Sequence, residues 1–552
     1  MSVQGPSEDN LVAPKVDNKR LKVVWCDAGV EEYQSIVAPH LSRLQNLWLT
    51  SPSRSQISLL LEATNNLLSS SAARTNKTIS LDGSSKPKRK NFTPKHIRIS
   101  QNSLLKKYKH FQKILSSGDT CKLASLKKNY NKARDQHRKL ERRYKAEQSS
   151  LRDETLFSIC SSNPSLIFKS IKSSKRSTAG KIQKLNVGHK VYLGESVQDG
   201  FYDSISPLKS RYNGSLKSDI KFNEFSADYL NILEVCKHGS PIPPISETES
   251  FKLIQKMKKD VTDIYGVTVN HYNYAGPAGW KHFNLLLNSL LADVNNTDIE
   301  EVNTVYACIL FKGLKKDKSS DRSISTCPVI AKALDLYIRD LNIDSWNHDQ
   351  ANNQFQGEGS SHELAAVVLT EAIQHSLYTI KQPLFVLLLD AQSAFDVVLR
   401  ELLVRNLYNI NTDGHTLLYI NIRLGHRKTF IDWDGNLMGA IEDECGVEQG
   451  GVNSSDFYKI FSKEQLSTAQ ESGLGVRLGE QIISGIGIAD DTALLSNNIH
   501  KLQNLLMLSE AFCKRFQVKL CAEKTKLLVF ATKKMKLAVD YAKETNPVNI
   551  EN

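Results

Sequence analysis

Two apolar stretches that end on acids constrain the fold of this chain most strongly. The run Leu384–Leu389 is uniformly apolar and is followed by Asp390. Further along, Ile486–Ala489 leads into the doublet Asp490–Asp491, and the apolar Ala493–Leu495 comes next. Carboxylates at the ends of buried strands are costly unless a cation compensates their charge, and a divalent metal is the usual compensation. The pattern predicts two neighbouring strands with three carboxylates at one end.

Other segments flank these acids in a fixed order. An Asp-Asp doublet alone is a weak signal, because most such pairs lie on solvated turns. Its specificity rises with its neighbours: Asp321-Arg322-Ser323-Ile324-Ser325, Asn353-Gln354-Phe355 with Gly359-Ser360-Ser361, Ala391-Gln392-Ser393-Ala394-Phe395-Asp396, the stretch Gly446–Phe457 (GVEQGGVNSSDF), an amphipathic helix pattern from Leu502 to Phe516, and Glu523-Lys524-Thr525-Lys526 before the short strand Leu527–Phe530.

In that order and at those spacings, the segments resemble the polymerase motifs of reverse transcriptases, with the non-LTR (LINE-like) retrotransposon type as the nearest match. The resemblance covers roughly residues 250–545. It implies an α+β right-hand polymerase fold, in which an antiparallel palm sheet with packed helices adjoins the fingers. It also implies an RNA-directed DNA polymerase (nucleotidyltransferase) that uses Mg²⁺, with Mn²⁺ as the alternative, in two-metal chemistry. RNA template, DNA primer or target, and dNTP would be its partners.

The resemblance implies a role for each motif residue. Asp390, Asp490 and Asp491 would hold the metal ions, and the carboxylates of Asp390 and Asp490 would lie about 4–7 Å apart. Phe395 would leave no room for a 2′-hydroxyl and so would select deoxynucleotides. Lys524 would protonate the pyrophosphate leaving group as a general acid. The other nucleotide-binding residues would be Gln449 in its glycine-rich loop, and Arg322 and Lys312 at the triphosphate.

Two departures from the family pattern concern residues next to the site. Ile488 stands where Phe or Tyr usually precedes Ala-Asp-Asp, which predicts altered primer positioning. Glu448 stands in place of a basic residue before Gln449, which predicts weaker contact with the template or the triphosphate. Neither departure removes a metal ligand.

A strongly basic segment precedes the motifs. From Lys86 to Glu147 there are 20 Lys and Arg against 4 Asp and Glu, a net charge of +16 that exceeds the +13 of the whole chain. Between Ser103 and Leu151 there is no Pro and a single Gly, so a helix is predicted. Two interpretations stay open: a solvated helical face, or an arm that binds RNA or DNA phosphates. The candidate contacts are Lys88, Arg89, Lys90, Lys106, Lys107, Arg138, Arg142 and Arg143.

Composition agrees with a polyanionic partner and excludes other classes. The pI of about 9.1 favours nucleic acid. The apolar runs are too short to span a bilayer, and the polar N-terminus lacks a signal-peptide core. The nine cysteines form no CxxC pair, which is typical of reduced thiols. We therefore expect an intracellular protein, nuclear and/or cytoplasmic, with no membrane partner.

The chain divides into four predicted regions: a poorly defined N-terminal segment (1–85), a basic helical linker or nucleic-acid-binding arm (86–180), a connector (195–250) and the fingers–palm domain (250–545). The resemblance predicts a truncated or decayed copy that lacks an endonuclease before the arm and a thumb after the palm. Two alternatives stay open: a non-catalytic RNA- or DNA-binding remnant with the polymerase fold, and a maturase-like RNA-binding protein.

Overall fold

The structure is a computed structural model, and it describes fifteen stretches of the chain. They are residues 21–46, 52–80, 95–117, 125–140, 142–144, 184–187, 189–209, 220–311, 321–348, 351, 353–355, 361–412, 414–433, 436–532 and 535. Two compact units contain them: one is Met1–Gly83 with Gln183–Asn552, and the other is Ser84–Ile182.

Strands and helices follow one another as a mixture along the chain. The strands are β1 (Leu21–Val24), β2 (Lys77–Ser80), β3 (Lys184–Val187), β4 (Lys190–Leu193), β5 (Thr304–Phe311), β6 (Asp321–Thr326), β7 (Leu384–Gln392), β8 (Lys428–Trp433), β9 (Asn436–Glu442), β10 (Val476–Leu478), β11 (Gln481–Ile483), β12 (Gly485–Ile488), β13 (Asp491–Ser496), β14 (Lys519–Leu520) and β15 (Lys526–Phe530). The α-helices are α1 (Asp27–Asn46), α2 (Arg54–Thr75), α3 (Lys95–Ser117), α4 (125–140), α5 (Val197–Lys209), α6 (Ile220–Lys237), α7 (Glu247–Lys256), α8 (Val269–Tyr274), α9 (Gly276–Ala292), α10 (Glu300–Asn303), α11 (Val329–His348), α12 (His362–Gln374), α13 (Arg400–Asn409), α14 (Gly414–Gly425), α15 (Ser454–Glu471) and α16 (Ile499–Arg515). Shorter turns complete the set: 3₁₀ turns at Gly194–Ser196, Val294–Thr297 and Ala394–Val397, and a π-helical turn at His375–Ile380.

The central sheet is antiparallel and has β7 in its middle. Its order is β12-β13-β7-β14, and β15 pairs with β7 on the same side as β14. The uniformly apolar sequence of β7 follows from burial on both faces. Phe385, Leu387 and Leu389 pack against α16, whereas Leu384 and Val386 pack against α12.

A second sheet has four strands in the order β6-β5-β8-β9. Its central pair, β5 and β8, is parallel, and both outer pairings are antiparallel. The glycine-rich stretch after β9 is hydrogen-bonded to Ser325 of β6 and to Phe395, which follows β7.

Residues 21–80 contribute to a hydrophobic core that also contains Val305 of β5. α1 and α2 form a helical hairpin whose ends are joined by β1 and β2. Tyr33 on α1 and Leu61 on α2 lie in one hydrophobic core with Phe283 of α9. The Tyr33 hydroxyl donates to the carbonyl of His271 at 3.1 Å, across 238 residues of chain. A capping box of Ser53 and Gln56 starts α2.

The second unit contains two basic helices, α3 and α4, followed by helical residues 142–144. The rings of Tyr108 and Tyr130 lie 5.5 Å apart, and His137 contacts Ser100 at 3.3 Å. The earlier residue on α3 contacts the later residue on α4, and the later contacts the earlier. The two helices therefore pair antiparallel. Most of their described side chains are exposed, and Ala133 of α4 is buried.

The mixture of helices and antiparallel strands agrees with the predicted α+β class. Among the described residues, no helix is both long enough and apolar enough to span a membrane.

Candidate active site

The three acids of the sequence pattern lie at one end of the central sheet. β13 pairs with β7 so that Asp491 stands directly opposite Asp390. Directly opposed residues of an antiparallel pair project from the same face, and like charges there repel. Asp490 occupies the turn immediately before Asp491. The register therefore places a cluster of acidic residues at this edge.

The turn that carries Asp490 is short and conformationally strained. Ile488 pairs with Asp491, so only Ala489 and Asp490 connect β12 to β13. Ala489 has φ of 55°, a left-handed conformation that costs an alanine free energy. Positive φ at the first central residue alone is the sign pattern of a type II′ hairpin turn. The pairing on both sides of the turn holds this conformation in place.

The outer edge of the hairpin is held as well. Gly487 donates to the carbonyl of Asn353 at 3.0 Å, and Phe355 donates to the carbonyl of Gly487 at 2.8 Å. The Gln354 amide donates to the Lys459 carbonyl of α15 at 3.0 Å. A Cβ at Gly487 would lie 2.5 Å from Cδ1 of Leu466, so α15 packs closely against this strand. Asn353-Gln354-Phe355 thus connects the acidic hairpin to α15.

Lys524 contacts the acid at the end of β7. Its Nζ lies 3.2 Å from Oδ2 of Asp390, and the two side chains are 54% and 33% exposed. The backbone fixes this approach, because Cys521 donates to the Asp390 carbonyl at 2.8 Å and Lys524 donates to that of Cys521 at 3.2 Å. A lysine ammonium therefore balances one of the acids.

One carboxylate oxygen at this edge has the chemistry of a ligand for a divalent cation. The Oδ2 atom of Asp390 is buried and, beside its ion pair with Lys524, accepts no well-aligned hydrogen bond from the described part of the chain. A buried carboxylate oxygen of this kind suits a cation, and oxygen ligands are those that Mg²⁺ prefers. Within the described stretches, no three His, Cys, Asp or Glu side chains lie close enough together to hold a metal. The predicted convergence of the Asp390 and Asp490 carboxylates stays a prediction.

Phe395 lies in the 3₁₀ turn that follows β7. Its ring stacks on that of Tyr458, with centroids 5.0 Å apart and planes at 24°. Tyr458 is buried on α15, and burial raises the pKa of its phenol, with a further contribution from Asp490 and Asp491. It therefore stays protonated and connects Phe395 to the acidic doublet. Tyr458 was not predicted from the sequence, although its place beside Phe457 in an apolar helix start was a signal.

The glycine-rich loop is hydrogen-bonded to β6 and to the 3₁₀ turn that follows β7. Val447 donates to the Phe395 carbonyl at 2.8 Å, and Ser325 of β6 donates to the Gln449 carbonyl at 2.8 Å. Gly446 has φ of 81°, and a Cβ there would lie 2.7 Å from the Asp396 carbonyl oxygen. Only glycine fits that position. The half-buried Gln449 is thus held between Phe395 and β6.

A buried arginine binds the backbone carbonyls at the start of the same loop. Arg400 donates to the carbonyls of Asp443, Cys445 and Gly446, at 2.5, 3.1 and 3.3 Å. Its side chain is buried, so these carbonyls satisfy a charge that lies away from water.

Glu448 is buried rather than directed to solvent. Its Oε1 lies 3.6 Å from Arg423 and 3.6 Å from Arg427. The sequence predicts that Glu448 weakens contact with the template or the triphosphate. The structure gives this carboxylate two buried cationic partners, spaced four residues apart at the end of α14. That spacing of arginines was a signal in the sequence.

The remaining predicted residues are placed in part. Arg322 lies on β6, opposite Leu310, and its side chain falls outside the described residues. Lys312, Lys88, Arg89 and Lys90 also lie outside them. The other basic candidates are described and exposed: Lys106, Lys107, Arg138, Arg142 and Arg143.

One part of the chain matches a known protein family. Residues 314–546 match the family model described as reverse transcriptase (RNA-dependent DNA polymerase). No curated protein matches the chain. The matched range includes the acid pair of β7 and β13, Phe395, the glycine-rich loop and Lys524. The chain therefore contains a reverse transcriptase domain at residues 314–546.

Proposed function

We propose that this protein is an RNA-directed DNA polymerase of the non-LTR (LINE-like) retrotransposon type, which extends a DNA primer on an RNA template by two-metal nucleotidyl transfer. The observation that carries the proposal is the register of the central sheet, which sets Asp491 opposite Asp390 with Asp490 in the adjoining turn. Three acids at one edge of a sheet are explained by cation binding and not by stability.

Asp390, Asp490 and Asp491 would hold the ions. Bound Mg²⁺ supplies neutralisation of the triphosphate and a lower pKa for the primer hydroxyl. The stack of Phe395 on Tyr458 forms a rigid floor for the nucleotide sugar and excludes a 2′-hydroxyl. Gln449, held by its own backbone, faces the nucleotide from the loop. Lys524 would move from Asp390 to the leaving group, and its half-exposed side chain has the freedom to do so.

The basic helices of the second unit would bind the nucleic acid by charge. Lys106, Lys107 and Arg138 are exposed, as phosphate binding requires. Replacing these three and Arg142 with Gln in the full chain should weaken RNA binding most at low salt. Because the variant has four fewer cationic side chains to pair with phosphates, the slope of log affinity against log salt should fall by about 3. An unchanged slope would show that the helices are a solvated surface.

The reaction is tested by primer extension with an RNA template, a DNA primer, dNTP and Mg²⁺. Asp490→Ala should lower the rate on the order of 10³-fold or more, because the metal ligands supply several kcal/mol of transition-state stabilisation. The matched control is Glu480→Gln, which removes an exposed acid from the turn between β10 and β11 and should leave the rate unchanged. Extension that persists in Asp490→Ala would reject the site.

Sugar selection is tested separately. Phe395→Ala should raise the incorporation of ribonucleotides relative to deoxynucleotides, because the ring that occupies the 2′ position is removed. Phe355→Ala, which removes a half-buried phenylalanine at the hairpin edge, is the control. Equal discrimination in both variants would assign Phe395 to packing alone.

A second candidate is a nucleic-acid-binding protein that keeps the polymerase fold without polymerising. It is favoured by the ion pair of Lys524 with Asp390, since an ammonium there competes with a metal. The two candidates differ in the extension assay, where the second predicts RNA binding without Mg²⁺-dependent synthesis. A nuclear and/or cytoplasmic location belongs to both proposals.

A further inference from the structure

Six buried charged side chains form one alternating chain beneath the glycine-rich loop. Lys209 Nζ lies 2.7 Å from Asp443, Asp443 lies 2.5 Å from Arg427, and Arg427 lies 3.6 Å from Glu448. Glu448 lies 3.6 Å from Arg423, which lies 3.2 Å from Asp335. We call Lys209, Asp443, Arg427, Glu448, Arg423 and Asp335 the buried ion chain. Each of its side chains is at most 11% exposed.

The buried ion chain is balanced, with three carboxylates against three cations. Burial alone would raise the pKa of Asp443, but Arg427 and Lys209 hold it below its ordinary value, so the carboxylate stays ionised. Further hydrogen bonds reach the carboxylates: Thr429 donates to Oδ2 of Asp443 at 3.0 Å, and Tyr419 donates to Asp335 at 2.7 Å. Buried ions without such partners would be strongly destabilising.

The buried ion chain links a helix outside the matched range to residues inside it. Lys209 lies at the end of α5, more than one hundred residues before the matched range begins at residue 314. Its backbone carbonyl accepts from Glu444 at 3.0 Å, so α5 docks on the loop through backbone as well as charge. α5 also contacts the 3₁₀ turn that carries Phe395.

Two of the six residues are close in sequence to Gln449: Glu448 lies within the glycine-rich loop, and Asp443 lies just before it. Asp443 begins the segment that Arg400 supports, and Glu448 directly precedes Gln449. Gly451 donates to the Glu448 carbonyl at 3.0 Å, so the loop folds back over the buried carboxylate. A charge held by two arginines resists displacement, whereas a neutral side chain in its place would let the loop shift.

Resting on the proposed function, we propose that the buried ion chain positions Gln449 for the incoming nucleotide, with Glu448 as the positioning residue and Lys209 as an anchor from outside the matched domain. Glu448 acts through the backbone of the loop and does not touch the nucleotide.

Kinetics of Glu448→Gln test the proposal, since Gln keeps the shape and loses the charge. The apparent KM for dNTP should rise roughly tenfold, which corresponds to about 1.4 kcal/mol, with a smaller change in kcat. Glu448→Asp, which restores the charge, should recover part of the loss. The control is Asp456→Asn, another buried acid whose partner Arg339 lies 2.8 Å away on α11. It should lower stability without raising KM.

A double variant separates positioning from general loss of stability. If Glu448 acts through Gln449, adding Glu448→Gln to Gln449→Ala should change KM little, because the side chain being positioned is already absent. Independent, additive effects would overturn the proposal.

Amide hydrogen exchange gives a measure that does not require polymerisation. In Glu448→Gln and in Lys209→Met, the amides of Ser325, Val447 and Gly451 should exchange at least tenfold faster than in the wild type, while Asp456→Asn leaves them unchanged. Unchanged exchange at all three amides would reject the positioning role. A wild-type chain that shows no extension, but in which exchange responds as expected, would reject the polymerase and retain the inference about the loop.

Discussion

Two charged regions of this protein differ in how their charges are balanced. The buried ion chain contains equal numbers of acids and bases, and each member meets its counter-charge at close range. The acidic edge of the central sheet sets Asp390, Asp490 and Asp491 together, with Lys524 paired to Asp390. We propose that the balanced region fixes the conformation of the glycine-rich loop and that the acid-rich region recruits a cation. Variants that remove single charges can separate these two uses.

The largest expected effect is on the balanced region. Asp443→Asn leaves Lys209 and Arg427 buried without their carboxylate, so the free energy of unfolding should fall by about 3–5 kcal/mol. The comparison is Glu464→Gln, which breaks the surface pair with Arg515 at 2.7 Å. Exposed pairs contribute below about 1 kcal/mol. Urea unfolding of both variants measures the two losses of unfolding free energy. Equal losses would show that burial of the ion chain adds nothing to the effect of breaking an ion pair.

A third way to treat a buried titratable group is to keep it neutral. Burial lowers the pKa of His271 and of His282 to about 4, from 6.5. Between pH 6.5 and 4 the unfolded chain therefore binds protons that the folded chain does not. The two neutral histidines contribute their full share of stability above pH 6.5, and this contribution is lost as pH falls towards 4. Asp263 has the opposite sign: burial raises its pKa to about 7, so its contribution is lost as pH rises from 3.8 towards 7.

The neutral state of His282 predicts that replacing this residue changes how the free energy of unfolding depends on pH. In His282→Gln, the rise of unfolding free energy with pH between 4.5 and 6.5 should be smaller than in the wild type by about 1 kcal/mol per pH unit. Denaturant unfolding of the wild type and of the variant at a series of pH values measures the two slopes. Identical slopes would contradict the predicted neutral state of His282.

A smaller effect is expected for the cation beside the acidic edge. Lys524→Met should raise affinity for Mn²⁺, used as a probe for Mg²⁺, roughly two- to fivefold, because a competing half-exposed charge is removed. Lys526→Met provides the comparison, since the Lys526 ammonium donates to the Glu523 carbonyl at 2.6 Å. Calorimetric titration should separate the two variants. Equal changes would mean that only net charge matters at this edge.

The smallest effect concerns the turn before Asp491. Ala489→Gly relieves a positive φ, so stability should be unchanged or should rise by less than about 1 kcal/mol. Ala493→Gly, four residues later within β13, should instead lower stability by roughly 0.5–1 kcal/mol. Thermal unfolding of the pair measures the contrast. A loss at both positions would show that the turn is not strained.

Local patterns predicted the parts of the fold that depend on neighbouring residues. The uniform apolar run of β7 and the spacing of Leu502, Leu505 and Leu506 on α16 indicated the elements that carry or support the acids. The type of turn that holds Asp490 was not predicted, because alanine rarely adopts positive φ.

Contacts between distant residues could not be predicted in the same way. The α1–α2 hairpin docks on α9 through partners more than two hundred residues away, such as Thr64 with His282. Lys209 meets Asp443 across 234 residues. A lone lysine or acid in a polar stretch suggests a solvated surface, and only the folded chain shows that these charges are buried together.

The short segment Asn353–Phe355 has a consequence for the outer edge of the central sheet. β12 is the outer strand of the central sheet, and an open outer strand can pair with another molecule of the same kind. Because Asn353 and Phe355 already bond to the backbone of Gly487, that edge is covered by the chain itself. Residues that connect the hairpin to α15 thus also protect the sheet against pairing with a second copy.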